Sequence, residues 1–225
     1  MGLPITSHVA SDRKGSAAGA IARMAEGGFL GPDVQIVHAT HATDDDFQRL
    51  ADHGSPLQIS PWTELEVSYG IPPIARMAAA GVKLGLSVDN MVLAGNADMF
   101  GVMKITSDLA AGQTETQGAV SDADVLHWAT AGGAATLNLT DVGRIAPGMA
   151  ADVVAVRMDL INMTSTATPE FLLTHAAHPG NVDTVIAVGV LRKAGGRLTG
   201  IDEGALRAEA DEMIARLAQA AGLRN

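Results

Sequence analysis

Two imidazoles and a carboxylate stand at the ends of short apolar runs. His8 closes Leu3-Pro-Ile-Thr-Ser-His8, His38 closes Val34-Gln-Ile-Val-His38, and Asp89 closes Val82-Lys-Leu-Gly-Leu-Ser-Val-Asp89. In a parallel βα architecture the carboxyl ends of the strands meet on one rim, and side chains placed there converge. Nitrogen and oxygen donors gathered in this way suit a divalent cation, so the pattern points to part of a metal-hydrolase site. A carboxylate directly after Leu84-Gly-Leu-Ser-Val88 is costly to bury without a cation or hydrogen-bond donors; its other reading is the N-cap of the following segment. A lone histidine such as His8 is more often a satisfied structural residue than a ligand. His38 also opens His38-Ala-Thr-His41, an i, i+3 spacing, but the run feeding His38 makes it a strand end and leaves His41 in the loop as a supporting or structural residue.

The elements that must position these groups alternate over the first 140 or so residues. Strand-like runs fall near 3–9, 34–38, 56–60 and 82–88, separated by helical signals, which gives four βα units. Thr43-Asp-Asp-Asp46 is a capping-box-like start with acids on the positive end of the helix dipole, Phe47 and Leu50 share one face, and Gly54 stops the helix expected over 43–53. Ile71 to Gly81 starts with prolines tolerated in a first turn and ends at glycine. Another helix is expected after Ser121-Asp-Ala-Asp124. Beyond residue 140 the pattern changes: glycine and proline turns lead into Val153-Val-Ala-Val156, short strands follow at 184–188, 190–193 and 197–199, and an Ala-rich amphipathic helix spans 202–221. The expected organisation is therefore 1–140, 141–200 and 201–225.

Composition narrows the class. The chain has 225 residues, 47% hydrophobic and 18% charged, as a globular protein has. Its net charge of −10 comes without a Lys/Arg cluster, which argues against nucleic acid or an anionic membrane and for a small neutral or cationic substrate. It has no cysteine, so disulfides, thiolate ligands and a cysteine nucleophile are excluded. The opening residues lack a basic and apolar leader, and no apolar run approaches the roughly 20 residues of a membrane helix, so a cytoplasmic location is expected. Met1-Gly2-Leu-Pro-Ile-Thr6 matches a myristoylation pattern but reads better as a strand start. Gly-x-Gly-x-x-Gly does not follow the first strand, which disfavours a Rossmann-like nucleotide binder.

The order of His8, His38 and Asp89 resembles the fifth, sixth and eighth strand positions of the amidohydrolase superfamily, most closely its deaminase and chlorohydrolase branch. The resemblance continues through Ser60-Pro-Trp-Thr-Glu64, Gly70-Ile-Pro-Pro73, Ala80 to Asn90, Ala129-Thr-Ala-Gly-Gly-Ala-Ala135 and Gly143-Arg-Ile-Ala-Pro-Gly-Met-Ala-Ala-Asp-Val153. It implies an α/β fold: a partial (β/α)8 TIM barrel of about four βα units, strands 5 to 8 of the family, plus part of a small β-sandwich. It also implies a hydrolase of non-peptide carbon–nitrogen bonds, of deaminase or chlorohydrolase type, working through metal-activated water, with zinc the first expectation and iron, manganese or nickel the alternatives. By the same resemblance His8 and Asp89 would be metal ligands, and Asp89 would also move the proton. His38 would polarise substrate or orient the hydroxide in the one-metal branch and would itself be a metal ligand in the two-metal branches. Trp62, Glu64 and Asn90 would lie on loops as candidate substrate contacts.

Two departures accompany the resemblance. The family's first-strand His-x-His has no counterpart in this sequence, and Ser11 stands where the deaminase branch carries its proton-transferring glutamate, with Asp12 adjacent. These features imply the carboxyl-terminal part of an amidohydrolase-like protein, a fragment whose barrel is completed by an upstream segment, a partner or a second copy. Activity of the isolated chain is then in question. The alternative reading is a non-catalytic half-barrel that serves as a binding or interaction module.

Overall fold

The computed structural model describes residues 4–222. Leu3, the Met1-Gly2 start of the acylation pattern and the last three residues of the 201–225 segment lie outside the described residues. Strands β1 (Ile5–Val9), β2 (Val34–His38), β3 (Leu57–Ile59) and β4 (Leu84–Leu86) form one parallel sheet in chain order. Parallel neighbours require crossovers, and helices supply them. These are α1 (Arg13–Ala17) and α2 (Ala20–Glu26) after β1, α3 (Asp44–His53) after β2, and α4 (Pro61–Glu66) and α5 (Ile74–Ala79) after β3. After β4 come α6 (Met91–Ala94), α7 (Met99–Thr114), α8 (Asp122–Trp128) and α9 (Ala131–Thr136). The second sheet is antiparallel: β5 (Val153–Val156), β6 (Val182–Ala187), β7 (Val190–Ala194) and β8 (Arg197–Leu198), with α10 (Pro169–His175) between β5 and β6 and α11 (Glu203–Ala220) after β8.

Local chemistry sets most boundaries. Thr43 and Asp46 close a reciprocal capping box on α3, and Gly54 ends it in the left-handed region at φ 71°. The helix expected from Ile71 begins only at Ile74, because a residue that precedes proline is driven to extended backbone and Pro72 and Pro73 are consecutive. The 56–60 and 82–88 runs form shorter strands than expected, three residues each. Helix α7 was not signalled, since its buried Val102, Met103, Thr106 and Ala110 sit among further apolar residues that blur the helical period.

The parallel sheet packs its helix-facing side chains into the main core, where Ile36, Leu57 and Ile59 meet Ile21, Phe47, Leu50, Ile74, Met77 and Val102. Its opposite face carries a polar layer below the rim. Thr6 Oγ1 donates to Gln35 Oε1 at 3.1 Å, and the Gln35 amide donates to the Thr136 carbonyl at 3.0 Å. Thr136 Oγ1 in turn donates to Gln58 Oε1 at 2.6 Å. A Cβ at position 85 would lie 2.7 Å from both Gln58 Oε1 and Thr136 Oγ1, so Gly85 is what lets the end of α9 seat against the strands. No helix among the described residues is long and apolar enough to cross a membrane.

Candidate active site

The strand ends place the singled-out groups on one rim, and three of the four sharp exits use the left-handed region. Ala10 has φ 52° just after β1, His38 has φ 70° as the last residue of β2, and Asp89 has φ 59° shortly after β4. Such backbone is sparsely populated by residues with a Cβ and persists only where the surroundings enforce it. Around His38 they do. Its imidazole is 2% exposed, its ring centroid lies 4.8 Å from that of His8 in an edge arrangement, and Tyr69 approaches edge-on at 5.2 Å.

Beneath His38 lies Glu64, fully buried. Its Oε1 is 3.1 Å from His38 Nδ1 and accepts the Ser60 backbone N–H at 2.9 Å. Its Oε2 is buried without a partner. Burial, and to a lesser degree the charge of Asp89, pushes the Glu64 carboxyl above the ordinary carboxylate range, while the contacts to His38 and Ser60 pull it down. Glu64 and Trp62 therefore sit on α4 rather than on a loop, and this corrects the sequence expectation. Pro61 at the helix start fixes the first turn, and Glu64 folds back to the N–H of the capping residue Ser60. The signal was present in Ser-Pro-x-x-Glu, a helix opening with an acid in its first turn. Trp62 lies against α7, where a Cβ at Gly101 would meet its ring at 2.3 Å.

The remaining candidates separate. Asn90, not Asp89, caps α6, its Oδ1 accepting Leu93 N–H at 3.0 Å; it too belongs to a helix start rather than an open loop. Asp89 is exposed, and its backbone N–H donates to Ser87 Oγ at 2.9 Å. His8 is exposed at the edge of the sheet. Asp12 caps α1 through the Gly15 N–H. His41 is tied through Nε2 to the Tyr69 carbonyl, a structural contact. Sequence reasoning missed Tyr69, the only tyrosine in the chain, because no motif announces an edge-on aromatic neighbour.

The donor set suits a cation in part. The adjacent imidazoles of His8 and His38 suit zinc as nitrogen donors, and a carboxylate behind His38 is a usual companion of a metal-binding histidine. Among the described residues, however, no three His, Asp or Glu side chains cluster closely enough to hold an ion. Among the described residues the two imidazoles are a pair of nitrogen donors without a third ligand beside them.

The amidohydrolase family model matches residues 1–196. This chain belongs to the amidohydrolase family. It is 31% identical over 182 residues to a 5-methylthioadenosine/S-adenosylhomocysteine deaminase of Desulfitobacterium hafniense, covering 80% of this chain and 41% of the relative. It is 30% identical over 207 residues to an 8-oxoguanine deaminase of Pseudomonas aeruginosa, covering 84% of this chain and 42% of that protein. Among solved structures, a zinc-bound adenosine deaminase from Xanthomonas campestris superposes with a TM-score of 0.90 at 24% identity, covering 96% of this chain and 51% of the other. A zinc complex of an atrazine chlorohydrolase from Arthrobacter aurescens superposes with a TM-score of 0.84 at 19% identity, covering 94% and 49%. These structures establish a shared α/β fold. This amidohydrolase chain spans about two-fifths of the length of those curated relatives and about half that of the solved structures.

Proposed function

We propose that this chain contributes the His8, His38 and Asp89 side of a hydrolase site for non-peptide carbon–nitrogen bonds, of deaminase or chlorohydrolase type, in a small-molecule substrate. Strands β1 to β4 take the fifth to eighth positions of a (β/α)8 barrel, and the antiparallel sheet forms part of a small sandwich. The observation that carries the reading is the close pairing of His8 and His38 on a rim that Asp89 also reaches. The family match and the deaminase relatives support it.

In this reading His8, His38 and Asp89 would hold a divalent cation, zinc first, together with donors from outside the described residues: an upstream segment or a second copy. The cation supplies the acidity that makes water a nucleophile at neutral pH. Asp89 is exposed at the rim, free to take a proton from the attacking water on a carboxylate oxygen and return it to the leaving group. His38, fixed from behind, orients the reacting groups.

The test is zinc content per chain on the size-exclusion peak of protein purified with zinc. About one zinc per chain, lost in both His8→Ala and Asp89→Ala, is the expected result. No retained zinc, or zinc that survives both substitutions, overturns the cation assignment. The absence of a three-donor cluster among the described residues favours one second reading, a non-catalytic half-barrel that binds a partner; there His8→Ala and Asp89→Ala leave partner binding unchanged.

A further inference from the structure

Glu64 is the buried group whose placement goes furthest beyond a packing role. A helix opening needs one acceptor for an N–H at its first turn, and a serine or asparagine provides that without sinking a carboxylate. Here a carboxylate is fully buried, one of its oxygens has no partner, and the other is shared between the Ser60 N–H and His38 Nδ1. A buried acid with a bare oxygen is expensive. What it gains is a second acceptor contact, aimed at the one histidine of the rim that is itself buried and held in left-handed backbone.

We propose that Glu64 is a positioning residue that locks His38 in the Nδ1–H tautomer, so that Nε2, on the far side of the ring, presents a lone pair to whatever the rim binds. The assignment follows from Oε1. That oxygen already accepts the Ser60 N–H at 2.9 Å, so it serves as the acceptor for His38 as well. Oε2 has no acceptor to receive a carboxyl proton, so the proton of the pair sits on the ring: the carboxylate accepts through Oε1 and Nδ1 donates. A neutral imidazole carries only one ring proton, so Nε2 is left bare. The edge-on rings of His8 and Tyr69 hem the imidazole in, and the hydrogen bond to Glu64 fixes its rotation.

The inference rests on the role given to His38 above, and its test is independent of cation binding and of turnover. The full chain, labelled with nitrogen-15 in histidine and freed of metal, is examined by long-range proton–nitrogen NMR at a pH where His38 is neutral. The wild-type ring is expected to show a protonated Nδ1 and an unprotonated Nε2. Glu64→Gln keeps an oxygen at the shared position and puts its amide nitrogen where Oε2 had no partner, so it is expected to keep the same tautomer. Glu64→Leu is expected to shift His38 to Nε2–H or to a mixture. An Nε2–H ring in the wild type, or a Gln variant that releases the tautomer, overturns the proposal. Those two measurements decide it even where the Leu variant does not fold. A chain that binds no zinc yet shows the locked tautomer would sink the cation assignment and leave Glu64 in place.

Discussion

Ile36, Leu57 and Ile59 of the parallel sheet are fully buried, whereas Val154, Val190 and Leu191 of the antiparallel sheet stand about half exposed, although both sets are strand-forming apolar residues. The difference lies in what covers them. A parallel connection must cross over, and its helices land on the sheet, so α2, α3, α5 and α7 bring Ile21, Phe47, Ile74 and Val102 onto β1 to β4. The hairpins of β6 to β8 return directly and bring no cover. Helix α11 repeats the lesson: Leu206, Met213, Ile214 and Leu217 are exposed, and the helix buries none of its residues. Strand-forming apolar residues occur in both regions; burial does not follow them.

The rim shows the same division at smaller scale. His38 and Glu64 are enclosed, while His8 and Asp89 face outward. Two groups are thus fixed by the packing of this chain, and two are open to solvent in it.

The sharpest way to break the comparison is to remove a side chain from each region and follow urea unfolding. Phe47→Ala empties a fully buried site between α3 and the sheet and is expected to cost about 3–5 kcal/mol. A loss below about 1 kcal/mol would mean that the parallel unit does not hold together as a packed core. Thr43→Ala removes one half of the α3 capping box and should cost about 1 kcal/mol in the same assay. Leu206→Ala with Ile214→Ala strips two exposed side chains from α11, and the expected change is within about 0.5 kcal/mol for each. A larger, concentration-dependent loss from that pair would show that α11 is covered in solution and that the contrast between the regions ends when copies meet.

Much of the fold was legible because it rests on short-range rules. The cap at Thr43, the stop at Gly54, the strand at 34–38 and the cap at Ser121 all follow from local hydrogen bonding and backbone freedom. Helices α7 and α10 and the start of α5 were not read correctly. The apolar surroundings of α7 hide its period, nothing marked α10 between the strands, and the paired prolines act through sterics that a helix pattern ignores. For the candidate site, the placement of His8, His38 and Asp89 at or near strand ends was legible from position alone, while Trp62, Glu64 and Asn90 were assigned to loops and the cap of the segment after β4 was read at Asp89, where Asn90 provides it.

The sequence by itself determined the succession of the strands, the runs that lead to His8, His38 and Asp89, and the family likeness. These depend on residue type and spacing along the chain. Only the tertiary structure decided that Glu64 lies under His38, that Tyr69 and His8 flank its ring, and that Gly85 admits Thr136 to the strands. Each of these joins residues on different elements, and such meetings are fixed by how strands stack and helices cross over them, a geometry that no local pattern encodes.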